Sequence, residues 1–183
     1  MSFLRVLLGT FVGGIISTGA IIGITFLGTM VPWWALLLIA IGGCLIGGFV
    51  GGLLAQGAGK GALAGLLSGL IVFLGLFLFI WLYYKGVLLA LISSAPDVST
   101  LVTDFLNQLG MAGTPVGDTV ADWITTNAPT IADIEDFANS NFIYFALIVG
   151  AIFGGLAAVV NFGAGLIGGL ITRKKEDEYD SYY

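Results

Sequence analysis

A lysine in a glycine-rich stretch is the first candidate for ligand chemistry. Lys60 lies within the letters QGAGKG, where backbone amides and a lysine could cradle a phosphate. However, Gly61 follows the lysine where the Walker phosphate loop has Ser or Thr, and the upstream glycine of that loop is missing. A tight turn between two helices, with the lysine on the cytoplasmic side, is the better interpretation.

Acidic side chains are the second candidate, for a metal site. Asp133, Glu135 and Asp136 could hold calcium, but they lack the spacing of the twelve-residue calcium loop, which favours a solvated helix face. The chain has one cysteine and no histidine, which excludes disulfide frameworks, Cys/His zinc sites and Ser-His-Asp catalysis. We therefore expect no metal, no cofactor and no enzyme activity.

Two amides in apolar surroundings are the third candidate. Asn161 and Gln56 could bind a solute in a pore, or they could form hydrogen bonds between helices or to lipid headgroups. The second interpretation is favoured. The spans around them carry no Asp, Glu, Lys or Arg, which argues against an ion-coupled carrier.

The elements that hold these residues are predicted to be membrane helices. The chain is 58% hydrophobic and 9% charged, far below the roughly 25% charge of soluble domains. Charge-free apolar stretches at residues 6–27, 31–55, 62–84 and 142–172 each exceed the roughly 20 residues that a span requires. The fourth stretch is longer than needed, and we expect a bend near Asn161. The first stretch could instead be a cleaved signal peptide, although its apolar run continues to Leu27.

Glycines indicate close helix packing. Eleven of the 28 residues from Gly42 to Gly69 are glycine, a density that disfavours soluble helices but allows close backbone contact in lipid. Spacing of four residues puts such glycines on one helix side. The predicted packing residues are Gly43, Gly47, Gly51, Gly57, Gly61, Gly65, Gly69, Gly150, Gly154, Gly165 and Gly169.

The positive-inside rule predicts the orientation. With both termini in the cytoplasm, five of the six basic residues lie inside and only Lys85 lies outside. The aromatic residues expected at the membrane interface then all map to the outer side: Trp33, Trp34, Trp81, Tyr83, Tyr84 and Tyr144.

The acidic segment between the third and fourth spans is predicted to be helical. Apolar residues recur at helical spacing from Val98 to Leu109, with Ser94 and Asp97 spaced as a capping box and Gly110 as the stop. A second helix opens at Thr114-Pro115, with Val116, Val120, Trp123 and Ile124 on one face. A third begins at Thr130. We expect their apolar faces, including Phe105 and Trp123, to dock on the bundle or the lipid headgroups.

One family resemblance rests on the hairpin GGCLIGGFVGGLLAQGAGKGALAGLLSGLI at residues 42–71. It resembles a family of small archaeal integral-membrane proteins of unknown function, in which a GGFxAG-type helix meets a GAxxGxLxGL-type helix. Gly51 stands where that family usually has alanine, and the acidic insertion is longer than in its members. The resemblance implies a prokaryotic, archaeal plasma-membrane protein and supplies no catalytic residues.

The sequence thus predicts an all-α, four-helix transmembrane bundle with a short helical extracytoplasmic insertion between helices 3 and 4. Residues 1–84 carry helices 1–3, 85–141 the acidic insertion, 142–172 helix 4 and 173–183 a cytoplasmic tail. The expected role is a non-enzymatic structural or accessory component, a homo-oligomer or a small subunit of a membrane assembly packed through glycine ridges. A passive channel or uncoupled transporter is the alternative. The net charge of −5 argues against nucleic acid as a partner.

Labelling of introduced cysteines tests the predicted orientation. A cysteine at Asp118 should react with an impermeant thiol reagent on intact cells, and one at Ser181 should not. The opposite pattern would reverse the assignment of the two sides.

Overall fold

The computed structural model describes residues 2–27 and 31–180, and each element in them is helical. Four helical stretches are long and apolar enough to cross a membrane, which confirms the predicted all-α, four-span fold. These stretches are Phe3–Leu27, Trp34–Ala55, Ala58–Ser94 and Ile131–Thr172. The chain is therefore a multi-pass membrane protein.

The described residues form eight α-helices and two π turns, and the third and fourth spans each join several of these elements. In chain order they are α1 (Ser2–Leu27), α2 (Trp33–Ala55), α3 (Ala58–Phe79), a first π turn (Ile80–Tyr84), α4 (Lys85–Ser94), α5 (Val98–Gln108), α6 (Pro115–Asn127), α7 (Ile131–Asp136), a second π turn (Phe137–Asn141) and α8 (Phe142–Asp180). α3 continues through its π turn into α4, and α7 continues through the second π turn into α8.

The fourth span is longer than its prediction. The helix assignment is unbroken at Asn161, where the expected bend stays a prediction, and a π turn lies near the start of the span at Phe137–Asn141. The Asn161 amide donates to side chains of other helices. α8 also continues to Asp180, into the predicted tail, whose residues 181–183 lie outside the described part of the chain.

The spans form a four-cornered bundle. α1 packs against α2 and α3, and α8 also packs against α2 and α3, so α1 and α8 occupy opposite corners. The turn between α2 and α3 contains Gln56 and Gly57, both with positive φ (54° and 99°). The Gly57 N–H donates to the Gly169 carbonyl of α8 at 3.2 Å, which closes this end of the bundle. We call it the turn end.

A helical cap covers the opposite end. The cap comprises α5, α6 and their connections, between Ser94 and Ile131. Asp97 is the N-cap of α5, and its carboxylate accepts a hydrogen bond from the Thr100 N–H at 2.8 Å, which lowers the pKa of this exposed group. The predicted capping box from Ser94 is wrong, because Ser94 ends α4 and its hydroxyl donates to the Ala90 carbonyl.

The helix ends predicted at Gly110, Thr114 and Thr130 are found in the structure. Gly110 follows α5 with a φ of 66°, a conformation that ends helices. The Thr114 side chain accepts from the Gly117 N–H at the start of α6, and Thr130 forms a reciprocal capping box with Asp133 at the start of α7. These signals depend only on local sequence, which is why they could be located beforehand.

The cap docks on the bundle through α5. Leu101, Val102 and Leu106 are buried in the same apolar cluster as Leu88 of α4 and Phe142 of α8. The docking expected for this helix is confirmed, and the Phe105 ring contacts Tyr84 at a centroid distance of 6.4 Å.

Trp123, on the second cap helix, does not pack on the bundle. Its side chain is 64% exposed, and of the two docking surfaces expected for it the lipid headgroups stay a prediction. α6 packs against α5 through Val120 and Ile124, which are half-buried, while Trp123 lies at the edge of the same face.

Glycines bring α1 and α2 into backbone contact. A Cβ on Gly13 would lie 2.7 Å from the Gly47 carbonyl oxygen, and one on Gly51 would lie 2.6 Å from the Gly9 carbonyl oxygen. Real Cβ atoms essentially never come within 3.0 Å of such atoms. The two helices can therefore be this close only while all four positions are glycine.

The contact of α8 with its two neighbours has the same basis. A Cβ on Gly48 of α2 would lie 2.6 Å from the Asn161 Cα, and one on Gly65 of α3 would collide with the Asn161 carbonyl oxygen. Further along, Gly61 faces Gly165, and Gly69 faces the Gly154 carbonyl. The predicted ridges thus pack helices of this one chain against each other.

A matched pair of glycine substitutions tests this packing. Gly65→Ala places a methyl group against the α8 backbone and should lower the free energy of unfolding by about 2 kcal/mol, the usual cost of overpacking. Gly155→Ala adds the same methyl group to α8 where no atom lies within 4 Å, and should leave stability unchanged or raise it by up to about 1 kcal/mol. Denaturant titration in mixed micelles measures both. Equal shifts would show that Gly65 is not a packing position.

Candidate functional site

Asn161 is the largest fully buried polar side chain among the described residues. It has no exposed surface and lies on α8 at membrane depth. Ser17 of α1 and Ser68 of α3, 0% and 1% exposed, face it. Because an unpaired amide in such surroundings costs several kcal/mol, its hydrogen bonds decide whether the site is stable.

The hydrogen bonds of this site cross the bundle. Asn161 Nδ2 donates to Ser68 Oγ at 2.6 Å and to Ser17 Oγ at 3.1 Å. Each serine hydroxyl donates in turn to a carbonyl of its own helix, Ser68 to Gly65 at 2.6 Å and Ser17 to Gly13 at 2.9 Å. One amide thereby links α8 to α1 at the opposite corner and to α3 beside it. We call Ser17, Ser68 and Asn161 the amide cluster.

The amide oxygen is the least satisfied atom of the cluster. Asn161 Oδ1 lies 3.4 Å from Ser17 Oγ, and the Ser17 hydroxyl has one hydrogen to share between this oxygen and the Gly13 carbonyl. Cys44 of α2 is buried near Ser17, and Gly47 and Gly48 of the same helix pack against Ser17 and Asn161. The cluster therefore has residues from α1, α3 and α8, and α2 contacts it through glycines.

Glycines create the space for this cluster. A Cβ on Gly47 would collide with Ser17 Oγ, and Cβ atoms on Gly48 and Gly65 would overlap the Asn161 backbone. Three of the close glycine contacts thus lie at the depth of the buried hydrogen bonds. A larger residue at any of these three positions would separate the side chains that the hydrogen bonds join.

The chemistry available at the amide cluster is limited to hydrogen bonding. Its polar groups are an amide and two hydroxyls, and no base lies among them to activate a nucleophile. Among the described residues, no group of three or more His, Cys, Asp or Glu could hold a metal ion. The arrangement is suited to fixing the register of α1, α3 and α8.

Two cavities are found outside the cluster. One of about 410 Å³ is an apolar groove between α1 and α3, and one of about 360 Å³ lies beneath α5 at the cap end. Neither is lined by a residue of the amide cluster. A buried hydroxyl without a partner, that of Thr18, lies in the wall of the groove.

The other predicted polar residue lies far from Asn161. Gln56 is in the turn between α2 and α3, where its side-chain oxygen accepts a hydrogen bond from Arg5 of α1. The two amides are therefore not brought together. Lys60 is exposed in the first turn of α3, and Asp133 is used in the helix cap with Thr130.

Gly57 differs from the other predicted packing glycines. It is the N-cap of α3 with a φ of 99°, and a Cβ there would meet no atom within 4 Å. Its N–H contacts α8, but its role is to allow the turn. At Gly150 a Cβ would make a tight contact of 3.2 Å with the Phe73 carbonyl oxygen of α3. At each of the remaining predicted glycines an atom of another helix or of the turn lies within 3.0 Å of where a Cβ would be: Gly43, Gly47, Gly51, Gly61, Gly65, Gly69, Gly154, Gly165 and Gly169.

Sequence reasoning missed several contacts. Gly9 and Gly13 face α2, and their spacing of four residues, continued by Ser17, is the signal that would have found them. Gly48 and Gly52 face α8 from the side of α2 next to the predicted ridge. No sequence signal pairs Ser17 or Ser68 with Asn161.

Comparison of the chain with protein-family models, curated proteins and solved structures finds no match. The family resemblance of the hairpin at residues 42–71 stays a prediction.

A double-mutant cycle tests the hydrogen bond between Asn161 and Ser68. The variants Asn161→Ala, Ser68→Ala and the double variant should give a coupling energy of about 1 kcal/mol in the free energy of unfolding, as for other buried interhelical bonds in membranes. Ser93→Ala is the matched control, since Ser93 also donates to a carbonyl three residues earlier but is exposed on α4. A cycle of Asn161 with Ser93 should show no coupling. Equal coupling in both cycles would contradict the assignment.

Proposed function

We propose that this protein is a non-enzymatic structural or accessory component of a membrane assembly. The observation that carries the proposal is the amide cluster together with the glycine contacts around it. These features hold four spans at fixed register and leave none of the described cavities at the bundle centre. A rigid core of this kind supports a role in shape and contact.

Contacts with other subunits would use surfaces other than the ridges. The predicted ridges face helices of the same chain, so they are not free to bind a partner. The exposed indole of Trp123 on α6, with the exposed Asp118 and Asp122, forms a surface of the cap with the aromatic character of binding hot spots. We propose this surface for the contact, whether with a second copy or another subunit.

The proposed orientation has both termini in the cytoplasm and the cap outside a plasma membrane. The distribution of basic residues supports it, because Arg5 and Lys60 lie at the turn end and the seven carboxylates of residues 85–141 lie at or near the cap end. Archaeal origin is part of the proposal through the hairpin resemblance alone.

A passive channel is the second candidate, and flux measurements separate it from the first. Purified protein in proteoliposomes should give potassium and glycerol fluxes equal to those of empty vesicles, because the amide cluster and the glycine contacts fill the bundle centre. Flux well above the empty vesicles, reduced by Asn161→Leu, would establish a pathway through the bundle and overturn the structural role.

Particle size tests the proposed contact surface. Protein extracted from native membranes in mild detergent should migrate in a particle larger than one 19.0 kDa chain with its detergent. Trp123→Ala should raise the dissociation constant of the particle at least fivefold, as expected for loss of a hot-spot aromatic worth about 1 kcal/mol or more. Thr103→Ala, exposed on α5, is the control and should leave the size unchanged. A monomer in the parent protein at all concentrations would contradict the assembly role.

A further inference from the structure

The groove and the pocket follow one another along a single seam of the bundle. The groove runs between α1 and α3, from Ile15 to Ile22 on one side and from Ile71 to Leu78 on the other. The pocket begins one turn further along both helices, at Thr25 and at the first π turn. The seam therefore leads from membrane depth to the cap end.

The two cavities differ in chemistry. The groove is lined by apolar side chains and glycines, with Thr18 as its one hydroxyl-bearing residue. The pocket combines aromatic rings with groups that donate and accept hydrogen bonds, and its lining residues are Thr25, Phe26, Tyr83, Tyr84, Asn107 and Gln108. None of these six is charged.

The π turn explains how the pocket acquires two adjacent tyrosines. Tyr83 and Tyr84 are consecutive residues, yet both line the pocket, with ring centroids 5.3 Å apart. The wider winding of a π turn changes the direction of the following side chains, and such turns are frequent at functional sites. Asn107 and Gln108, at the end of α5, present exposed amides on the cap side.

We propose that this seam binds a membrane glycolipid, with a hydrocarbon chain in the groove and the neutral sugar headgroup in the pocket. The apolar groove, at the depth of the hydrocarbon core, is suited to a lipid chain. Aromatic faces with side-chain amides are suited to the apolar faces and hydroxyls of a sugar ring. A phosphate headgroup is disfavoured, because the pocket lining has no Lys or Arg to pair with it.

Separate substitutions test the groove and the pocket. Gly19→Leu would fill the groove, where a Cβ on Gly19 meets no atom within 4 Å, and Gly155→Leu adds the same side chain to an open position of α8 outside the groove. For the pocket, Asn107→Ala combined with Gln108→Ala removes two exposed amides. Asn139→Ala, exposed in the second π turn, is the control.

The experiment uses nanodiscs containing equal amounts of digalactosyl diacylglycerol and phosphatidylglycerol with identical acyl chains. After release of the protein, native mass spectrometry counts the lipids that remain bound. The parent should retain the glycolipid about tenfold over phosphatidylglycerol, which corresponds to one or two net hydrogen bonds. The double amide variant should bring the ratio close to one, Gly19→Leu should lower the amount of retained glycolipid at least fivefold, and both controls should match the parent.

Three results would overturn the proposal. The first is a parent ratio equal to that of the nanodisc, which would mean that the seam holds bulk lipid without selection. The second is an unchanged ratio and amount in both the groove and the pocket variants, with their thermal unfolding equal to that of the parent. The third is complete displacement by a soluble galactoside with no effect of Gly19→Leu, which would assign the pocket to a free sugar.

Discussion

Close approach of helix backbones is the constraint on which this structure depends. The carbonyls of Gly9, Gly13 and Gly47 lie where the partner helix would otherwise have a Cβ, and the same holds for the backbone of Asn161. In lipid, apolar side chains gain little from leaving the bilayer for a helix contact, so contact at van der Waals distance and interhelical hydrogen bonds must supply the association energy. The glycines supply the van der Waals contact, and the amide cluster supplies the interhelical hydrogen bonds.

The two contributions strengthen each other where they meet, at Gly47, Gly48 and Gly65. Ser17 and Ser68 donate to carbonyls of their own helices while they accept from Asn161, so neither hydroxyl is left without a partner. That arrangement requires α1, α3 and α8 at one register, since a shift of one residue would rotate the serines away by about 100°. The amide cluster thus favours one alignment among the several that glycine ridges alone would permit.

Much of the fold could be predicted because its signals are local. The spans follow from charge-free apolar length, and the helix ends at Thr114 and Thr130 follow from capping chemistry. The two π turns carry no comparable signal, since apolar residues continue through Ile80–Tyr84 as in any helix. Trp123 does not dock on the bundle, and helical periodicity could not foresee this because it identifies a face without identifying what covers it.

The candidate site was predictable only in part. A lone asparagine at membrane depth is conspicuous in the sequence, and an interhelical hydrogen bond was the favoured interpretation. Its partners were not identifiable, because Ser17 and Ser68 lie 144 and 93 residues away along the chain and resemble other small residues of the spans. The helices that pack against the glycine ridges were also not predictable. Spacing of four residues predicts a groove, but it does not tell whether the same chain or another one fills it.

The reactivity of Cys44 tests the central claim most directly, namely that the bundle centre is dry and closed by glycine contacts. Cys44 is the one cysteine of the chain, is 5% exposed and lies beside Ser17. A small water-soluble methanethiosulfonate should leave it unmodified in the folded protein in vesicles and should modify it fully after unfolding in dodecyl sulfate. Rapid modification in the folded protein would show that water reaches the amide cluster, and would contradict the account of a closed structural bundle.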